Sequence, residues 1–69
     1  MKLSARNQIK GKVVEVKTGA TTAHVRVKIA GGQIVTASIT NEAVADLGLK
    51  AGSQVIAVIK ASDVMIATD

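Results

Sequence analysis

A chain of 69 residues that contains no cysteine has few ways of becoming a stable folded domain. Chains shorter than roughly 70–80 residues bury little apolar surface alone and usually rely on disulfides, a structural metal or partner subunits. Missing thiols remove disulfides and thiolate metal sites, and the one histidine, His24, cannot form a zinc site by itself. The sequence therefore predicts a single domain, residues 1–69, that is stabilised by oligomerisation.

The apolar residues support the same expectation. They make up 48% of the chain and none of them is aromatic, so the core must consist of small branched side chains. Apolar residues beyond what one small core can hold are expected to face another subunit.

Alternation of apolar and polar residues, interrupted by turn residues, predicts five strands and one short helix. The predicted strands are Gln8–Lys17, Thr22–Ile29, Ile34–Ile39, Gln54–Ile59 and Val64–Ala67, and the helix is Asn41–Leu47. Thr40 is a suitable N-cap for this helix and Gly48 a suitable stop. The apolar phase slips near Val13–Val14, which indicates either a β-bulge or burial on both faces.

The turn before the third strand and the composition of the fourth strand add two further details. Ala30–Gln33 contains two glycines and predicts a hairpin. Gln54–Ile59 is almost entirely apolar, and this predicts a strand buried on both faces. The order strand, strand, strand, helix, strand, strand is that of the OB-fold, a five-stranded Greek-key barrel. A five-stranded meander with a surface helix is the competing topology.

Charge and missing motifs narrow the function. The net charge is +4, which favours anionic partners, and the cations are dispersed without a polybasic run. Neither a membrane span nor a signal peptide is evident, so the expected compartment is the cytoplasm. No close pair of acids, nucleophile–base set or phosphate-binding loop occurs, which disfavours an enzyme. His24 lies on the polar side of its strand and is interpreted as a solvated surface residue.

Two polar clusters combine a hydroxyl with a permanent cation. They are Ser4–Gln8, just before the first strand, and Lys60–Ser62, between the last two strands. Thr40, at the start of the helix, adds a third hydroxyl close to unpaired backbone N–H groups. Such donors without a carboxylate suit a dianionic oxyanion, although each cluster alone is better explained as a solvated arm or turn.

Three segments of the chain together resemble one known family. Ser-Ala-Arg-Asn-Gln followed by Ile-Lys-Gly-Lys-Val-Val (residues 4–14) is similar to the opening of the molbindins, small cytoplasmic molybdate-binding proteins built from a Mop or TOBE-type domain. Residues 47–52 resemble the middle of these proteins, and residues 57–65 resemble their end. The resemblance implies an OB-like barrel, a hexamer arranged as a trimer of dimers, strand exchange within each dimer, and anions held at subunit interfaces.

The resemblance also implies which residues bind the anion. Ser4 and Arg6 would contribute from one subunit, and Thr40 together with Lys60, Ala61 and Ser62 from another. Arg6 and Lys60 would neutralise charge, and Ala61 would donate through its backbone N–H. Ala43 stands where the family often has a serine, which removes one donor, at a cost of about 1 kcal/mol. A second, weaker interface site would use the loop residues Gly19, Ala20 and Thr21.

The implied function is capture without catalysis. Molybdate, and tungstate of nearly the same size, would be the bound ligands, with no organic cofactor, no metal cation held by protein ligands and no membrane partner. The role would be molybdenum storage or homeostasis. Because the site would lie between subunits, anion binding and assembly would be thermodynamically linked.

Two other functions remain as alternatives. A nucleic-acid-binding OB module is compatible with the fold and charge, but it normally stacks bases on aromatic residues, and this chain has none. A regulatory TOBE domain acting in trans on a separate protein is the second, although the chain carries no helix-turn-helix and no nucleotide-binding segment.

Overall fold

Antiparallel β-strands form most of the regular backbone. The computed structural model of the protein describes residues 1–69. Its elements are β1 (Asn7–Thr18), β2 (Thr22–Ile29), β3 (Ile34–Thr40), α1 (Asn41–Leu47), β4 (Gln54–Ile59) and a 3₁₀ turn (Ala61–Asp63). The mostly-β architecture with one short helix is thus confirmed, and the first four predicted strands lie within one residue of their expected bounds. No helix is both long enough and apolar enough to span a membrane.

The four strands form one sheet in the order β3-β2-β1-β4, with antiparallel neighbours throughout. The first half of β1 pairs with β4 and the second half with β2, and the two ladders overlap at Gly11 and Lys12. β1 therefore joins the two parts of the sheet, while β3 and β4 are its two open edges.

The phase slip in β1 is a β-bulge. Val13 pairs with Val27 and Glu15 with Arg26, so Val14 has no partner on β2. The extra residue keeps Val13 and Val16 on the same side of the sheet although they are three positions apart. Of the two interpretations of the sequence, the bulge is therefore correct.

The core is very small for a chain of this length. Only four of 69 residues are buried, namely Val13, Ala23, Val25 and Val27. Ile39, Val44 and Leu49 pack against this cluster and are partly buried, so α1 covers one part of the inner face of the sheet. This small core matches the expectation from chain length.

Capping determines where α1 begins and ends. The Thr40 side chain accepts a 3.0 Å hydrogen bond from the Ala43 N–H, which satisfies one of the unpaired donors of the first turn. Gly48 ends the helix in the left-handed region at φ 62°, where a side chain would be strained. Both capping predictions are confirmed.

We expect Thr40→Ala to lower the free energy of unfolding by about 1 kcal/mol, because the Ala43 N–H loses its acceptor. Urea denaturation at a fixed protein concentration measures the change. Thr40→Ser keeps the hydroxyl and should remain within a few tenths of a kcal/mol of the wild type. Equal stability of Thr40→Ala and the wild type would mean that the cap contributes nothing.

Two predictions for the C-terminal part of the chain are wrong for the single chain. Val64–Ala67 is not a fifth strand: it pairs with no other strand, and Met65 and Ile66 are 92% and 89% exposed. β4 is not buried on both faces, since Ile56 and Val58 are 43% and 44% exposed. In both cases the apolar residues are present, but the chain provides no further element to pair with them or cover them.

Candidate oxyanion site

The β1–β4 ladder brings the two predicted polar clusters to one end of the sheet. The ladder ends at the pair Asn7 and Ile59, and the Asn7 side-chain amide donates a 3.1 Å hydrogen bond to the Ile59 carbonyl. Ser4–Arg6 leads directly into this pair and Lys60–Ser62 follows directly from it. Two segments more than 50 residues apart in sequence are thus held side by side by strand register.

The 3₁₀ turn after β4 leaves two amides without acceptors. The Lys60 carbonyl accepts from the Asp63 N–H at 2.9 Å, and the Ala61 carbonyl accepts from the Val64 N–H at 3.3 Å. The N–H groups of Ala61 and Ser62 donate to no backbone or side-chain acceptor. They are the first amides of a helical turn, which is where an anion is best accommodated.

The cations at this end are also unpaired. The only ion pair in the chain joins Arg26 to Glu15, at 3.9 Å and in the middle of the sheet. Arg6 and Lys60 therefore have no carboxylate within 4.0 Å, and both are exposed. This end of the sheet (Ser4, Arg6, Lys60, Ala61 and Ser62), called the ladder end below, offers cations, hydroxyls and free amides to an acceptor-only ligand.

Thr40 lies at the other end of the sheet. It pairs with Thr22 at the start of β2, next to the end of β1. At about 3.3 Å per residue, the 12 residues of β1 place Thr40 roughly 30 Å from the ladder end. Within one chain, the Lys60–Ser62 turn therefore lies beside Ser4 and Arg6 and not beside Thr40.

Thr40 is grouped instead with the loop of the predicted second site. The Asn41 N–H donates to the Thr21 carbonyl at 2.9 Å, and the Asn41 side-chain amide donates to the Gly19 carbonyl at 3.0 Å. Because the Thr40 oxygen already accepts from Ala43, its hydroxyl proton is free for a ligand. Two of the first helical amides are thus used internally, and a ligand there would depend on the Thr40 hydroxyl.

A small polar cleft of about 270 Å³ adjoins this loop. It is lined by Lys17, Thr18, Gly19, Thr22 and His24. Ala20 and Thr21, predicted for the second site, do not line it. His24 faces this cleft because it pairs directly with Lys17 across β1 and β2. The register of the β1–β2 hairpin is the feature from which the proximity of His24 and Lys17 could have been predicted.

A second, more open groove is of a different kind. It has a volume of about 550 Å³, and six of the eight residues that line it are hydrophobic, among them Leu47, Leu49, Ile56 and Val58. Such a surface suits apolar contact and offers an oxyanion almost no donors. No three His, Cys, Asp or Glu side chains come together as a cation site either.

Comparison with known proteins places these features in context. Residues 3–66 match the model of the TOBE domain. Molybdenum-pterin-binding protein 3 of Clostridium pasteurianum is 56% identical over 66 residues, covering 96% of this chain and 97% of that protein. A molybdate-binding protein from Sporomusa ovata superimposes with a TM-score of 0.93 at 34% identity, covering 99% of this chain and 100% of that one. The cytoplasmic molybdate-binding protein ModG, with molybdate bound, gives a TM-score of 0.91 at 49% identity, covering 94% of this chain and 46% of that one.

Proposed function

The chain belongs to the TOBE-domain family of molybdenum-binding Mop proteins, and from this premise we propose that it captures molybdate at the ladder end without transforming it. The observation that carries the proposal is the register of β1 with β4, which brings Arg6 and Lys60 to the same end of the sheet. Molybdate is a dianion whose four oxygens only accept hydrogen bonds. Unpaired cations, hydroxyls and the free amides of Ala61 and Ser62 match that requirement.

The complete site is proposed to lie between subunits. Thr40 is too far from the ladder end to reach the same anion, so a site that uses both takes them from different chains. The anion would then link two subunits and stabilise the assembly. Gly19, Ala20 and Thr21, beside Thr40 and the polar cleft, would form the weaker second site.

Several features of the single chain support an oligomer, which we propose to be a hexamer built as a trimer of dimers. The edge strands β3 and β4 carry no charged residue and no proline, so neither edge is protected against pairing with another chain. Exposed apolar residues lie on β4 and in the C-terminal segment Val64–Ile66. Exchange of strands between subunits would pair this segment and complete the five-stranded OB-like barrel that one chain leaves open.

Tungstate is proposed as a second ligand. Hydrogen-bond donors around a tetrahedral dianion contact its oxygens, so they discriminate by its size and charge and not by its central atom. No organic cofactor is required for capture. The role that fits is storage or homeostasis of molybdenum in the cytoplasm. A nucleic-acid-binding OB module and a regulatory TOBE domain acting in trans are the alternatives, and the first normally stacks bases on aromatic residues, of which this chain has none.

Isothermal titration of molybdate into the protein, combined with light scattering, tests the proposal. We expect saturable heat with molybdate and with tungstate, and a mass close to six chains. Sulfate and phosphate are the controls and should bind far more weakly, since sulfate is smaller and phosphate is partly protonated.

The possible outcomes test the proposed ligand and the proposed location of its site separately. A well-folded oligomer that binds neither molybdate nor tungstate would overturn the function, and an oligonucleotide titration would then test the nucleic-acid alternative. If the protein is a monomer that binds molybdate tightly, the proposed ligand is correct and the proposed site between subunits is wrong.

A further inference from the structure

The solvent-facing side of the sheet gathers charges that are dispersed in the sequence. On β1 and β2, the residues that alternate with the buried valines point outward and are exposed. Five of the nine Lys and Arg residues of the chain lie there, together with one acid, Glu15. The five cations are Lys10, Lys12, Lys17, Arg26 and Lys28, and this surface is called the basic face below. It carries an excess of charge equal to the net charge of the whole chain.

The cations of the basic face are poorly neutralised. Lys12 pairs directly with Lys28 across β1 and β2, and like charges opposite one another destabilise a sheet. The single acid, Glu15, is engaged with Arg26 at 3.9 Å. The fold therefore maintains an exposed lysine pair with no counter-charge, which indicates a surface that meets negative charge from outside the chain.

The two edge strands, β3 and β4, add exposed aliphatic residues beside the cations of β1 and β2. Ile34 pairs with Lys28 on one side, and Ile56 pairs with Lys10 on the other. They are 37% and 43% exposed, and the unpaired Val14 in the bulge is 41% exposed. On such a surface apolar contact can supply affinity, and complementary charge can supply orientation and a faster association rate.

We propose that the basic face docks an acidic surface of a different protein, with carboxylates opposite Lys12 and Lys28 and apolar residues over Ile34 and Ile56. Nucleic acid is a poorer match, because the face has no aromatic residue for base stacking and includes Glu15. A second copy is also a poorer match, because two such faces repel each other. The proposal does not rest on the molybdate site, since Arg6 and Lys60 lie outside the basic face.

The test uses a fluorescently labelled 12-residue peptide of alternating Glu and Val as the probe, with an alternating Lys and Val peptide as the control. The chain carries no Phe, Tyr or Trp, so the label is read without background from the protein. The variant Lys12→Gln/Lys28→Gln removes two charges from the basic face. The variant Lys2→Gln/Lys50→Gln removes the same charge from exposed positions elsewhere and keeps the net charge matched.

We expect the acidic peptide to bind at about 50 mM salt and to weaken at higher salt, with amide chemical-shift changes confined to β1, β2 and the edge residues. Lys12→Gln/Lys28→Gln should weaken binding at least tenfold, and Lys2→Gln/Lys50→Gln by less than twofold. Molybdate binding and the oligomer mass should be unchanged in both variants.

Four results would overturn the proposal. They are absence of peptide binding, equal losses in the two charge-matched variants, tighter binding of a 12-base-pair DNA duplex on the same face, and a change of oligomer mass in Lys12→Gln/Lys28→Gln. The third result would assign the face to nucleic acid, and the fourth would assign it to contact between copies.

Discussion

Arg6→Ala and Lys60→Ala are each expected to weaken molybdate binding by about 10- to 100-fold. Hydrogen bonds to charged groups contribute about 1.5–3 kcal/mol each, and about 1.4 kcal/mol corresponds to a tenfold change in affinity. Neither residue has a carboxylate partner in the chain, so neither substitution leaves a buried charge unpaired. The loss should therefore appear in the dissociation constant from calorimetry and not in the free energy of unfolding of the free protein.

Matched variants distinguish the loss of a ligand contact from a general loss of positive charge. Arg26→Ala removes the same side chain from the middle of the sheet, and Lys50→Ala removes a lysine from the turn before β4. Both should bind molybdate within about twofold of the wild type at physiological salt, where distant exposed charges are screened. If Arg6→Ala and Lys60→Ala bind as well as these controls, the anion does not occupy the ladder end.

Gly11→Ala is expected to lower the free energy of unfolding by about 3 kcal/mol, because the added methyl overfills the centre of the sheet. Its Cβ would lie 2.5 Å from Val27 Cγ1 and 2.8 Å from the Lys28 carbonyl oxygen. Val27 is a core residue, and the carbonyl belongs to a strand paired on both sides, so neither neighbour can move away easily. For a domain of this size, such a loss removes a large share of the stability.

Urea denaturation and circular dichroism at a fixed protein concentration measure this effect. Gly31→Ala is the control: no atom lies within 4 Å of the added carbon, and only the positive φ of 90° opposes the change. It should cost about 1 kcal/mol. A Gly11→Ala variant as stable as Gly31→Ala would show that the sheet relaxes around the methyl group, contrary to the packing described above.

Features that depend on neighbouring residues in the sequence could be predicted. Alternation placed Thr22–Ile29 at its observed bounds, and the side-chain oxygen of Thr40 with the glycine at 48 placed both ends of α1. The phase slip near Val13–Val14 indicated either a β-bulge or burial on both faces, and the structure contains the bulge. In each case the deciding interaction spans only a few residues.

Features that depend on what lies beside a segment could not be predicted. The apolar runs in Gln54–Ile59 and Val64–Ala67 were interpreted as a doubly buried strand and a fifth strand, but the apolar pattern does not say which chain supplies the covering surface. In the isolated chain nothing covers Ile56 or Met65. Both segments were correctly interpreted as apolar, but the single chain supplies no element that pairs with them or covers them.

The candidate site shows the same division between local and long-range information. Both polar clusters were identified from residue types, yet their proximity depends on the register of Asn7 with Ile59, which no local pattern encodes. The basic face was missed for a related reason. Its cations are separated in sequence, and only their shared orientation on β1 and β2 brings them together.

The order in which the ladders close has a consequence for how a bound anion stabilises the protein. β1 and β2 are joined by three residues and β2 and β3 by four, so both hairpins close at little entropic cost, whereas Asn7 and Ile59 are 52 residues apart. Pairing of β4 carries the larger loop-closure cost and is expected to come last. An anion bound by both Arg6 and Lys60, as proposed, would bridge this contact. A ligand that binds the folded chain and not the transition state slows unfolding and leaves the folding rate unchanged, so the proposed molybdate site would lengthen the lifetime of the folded chain.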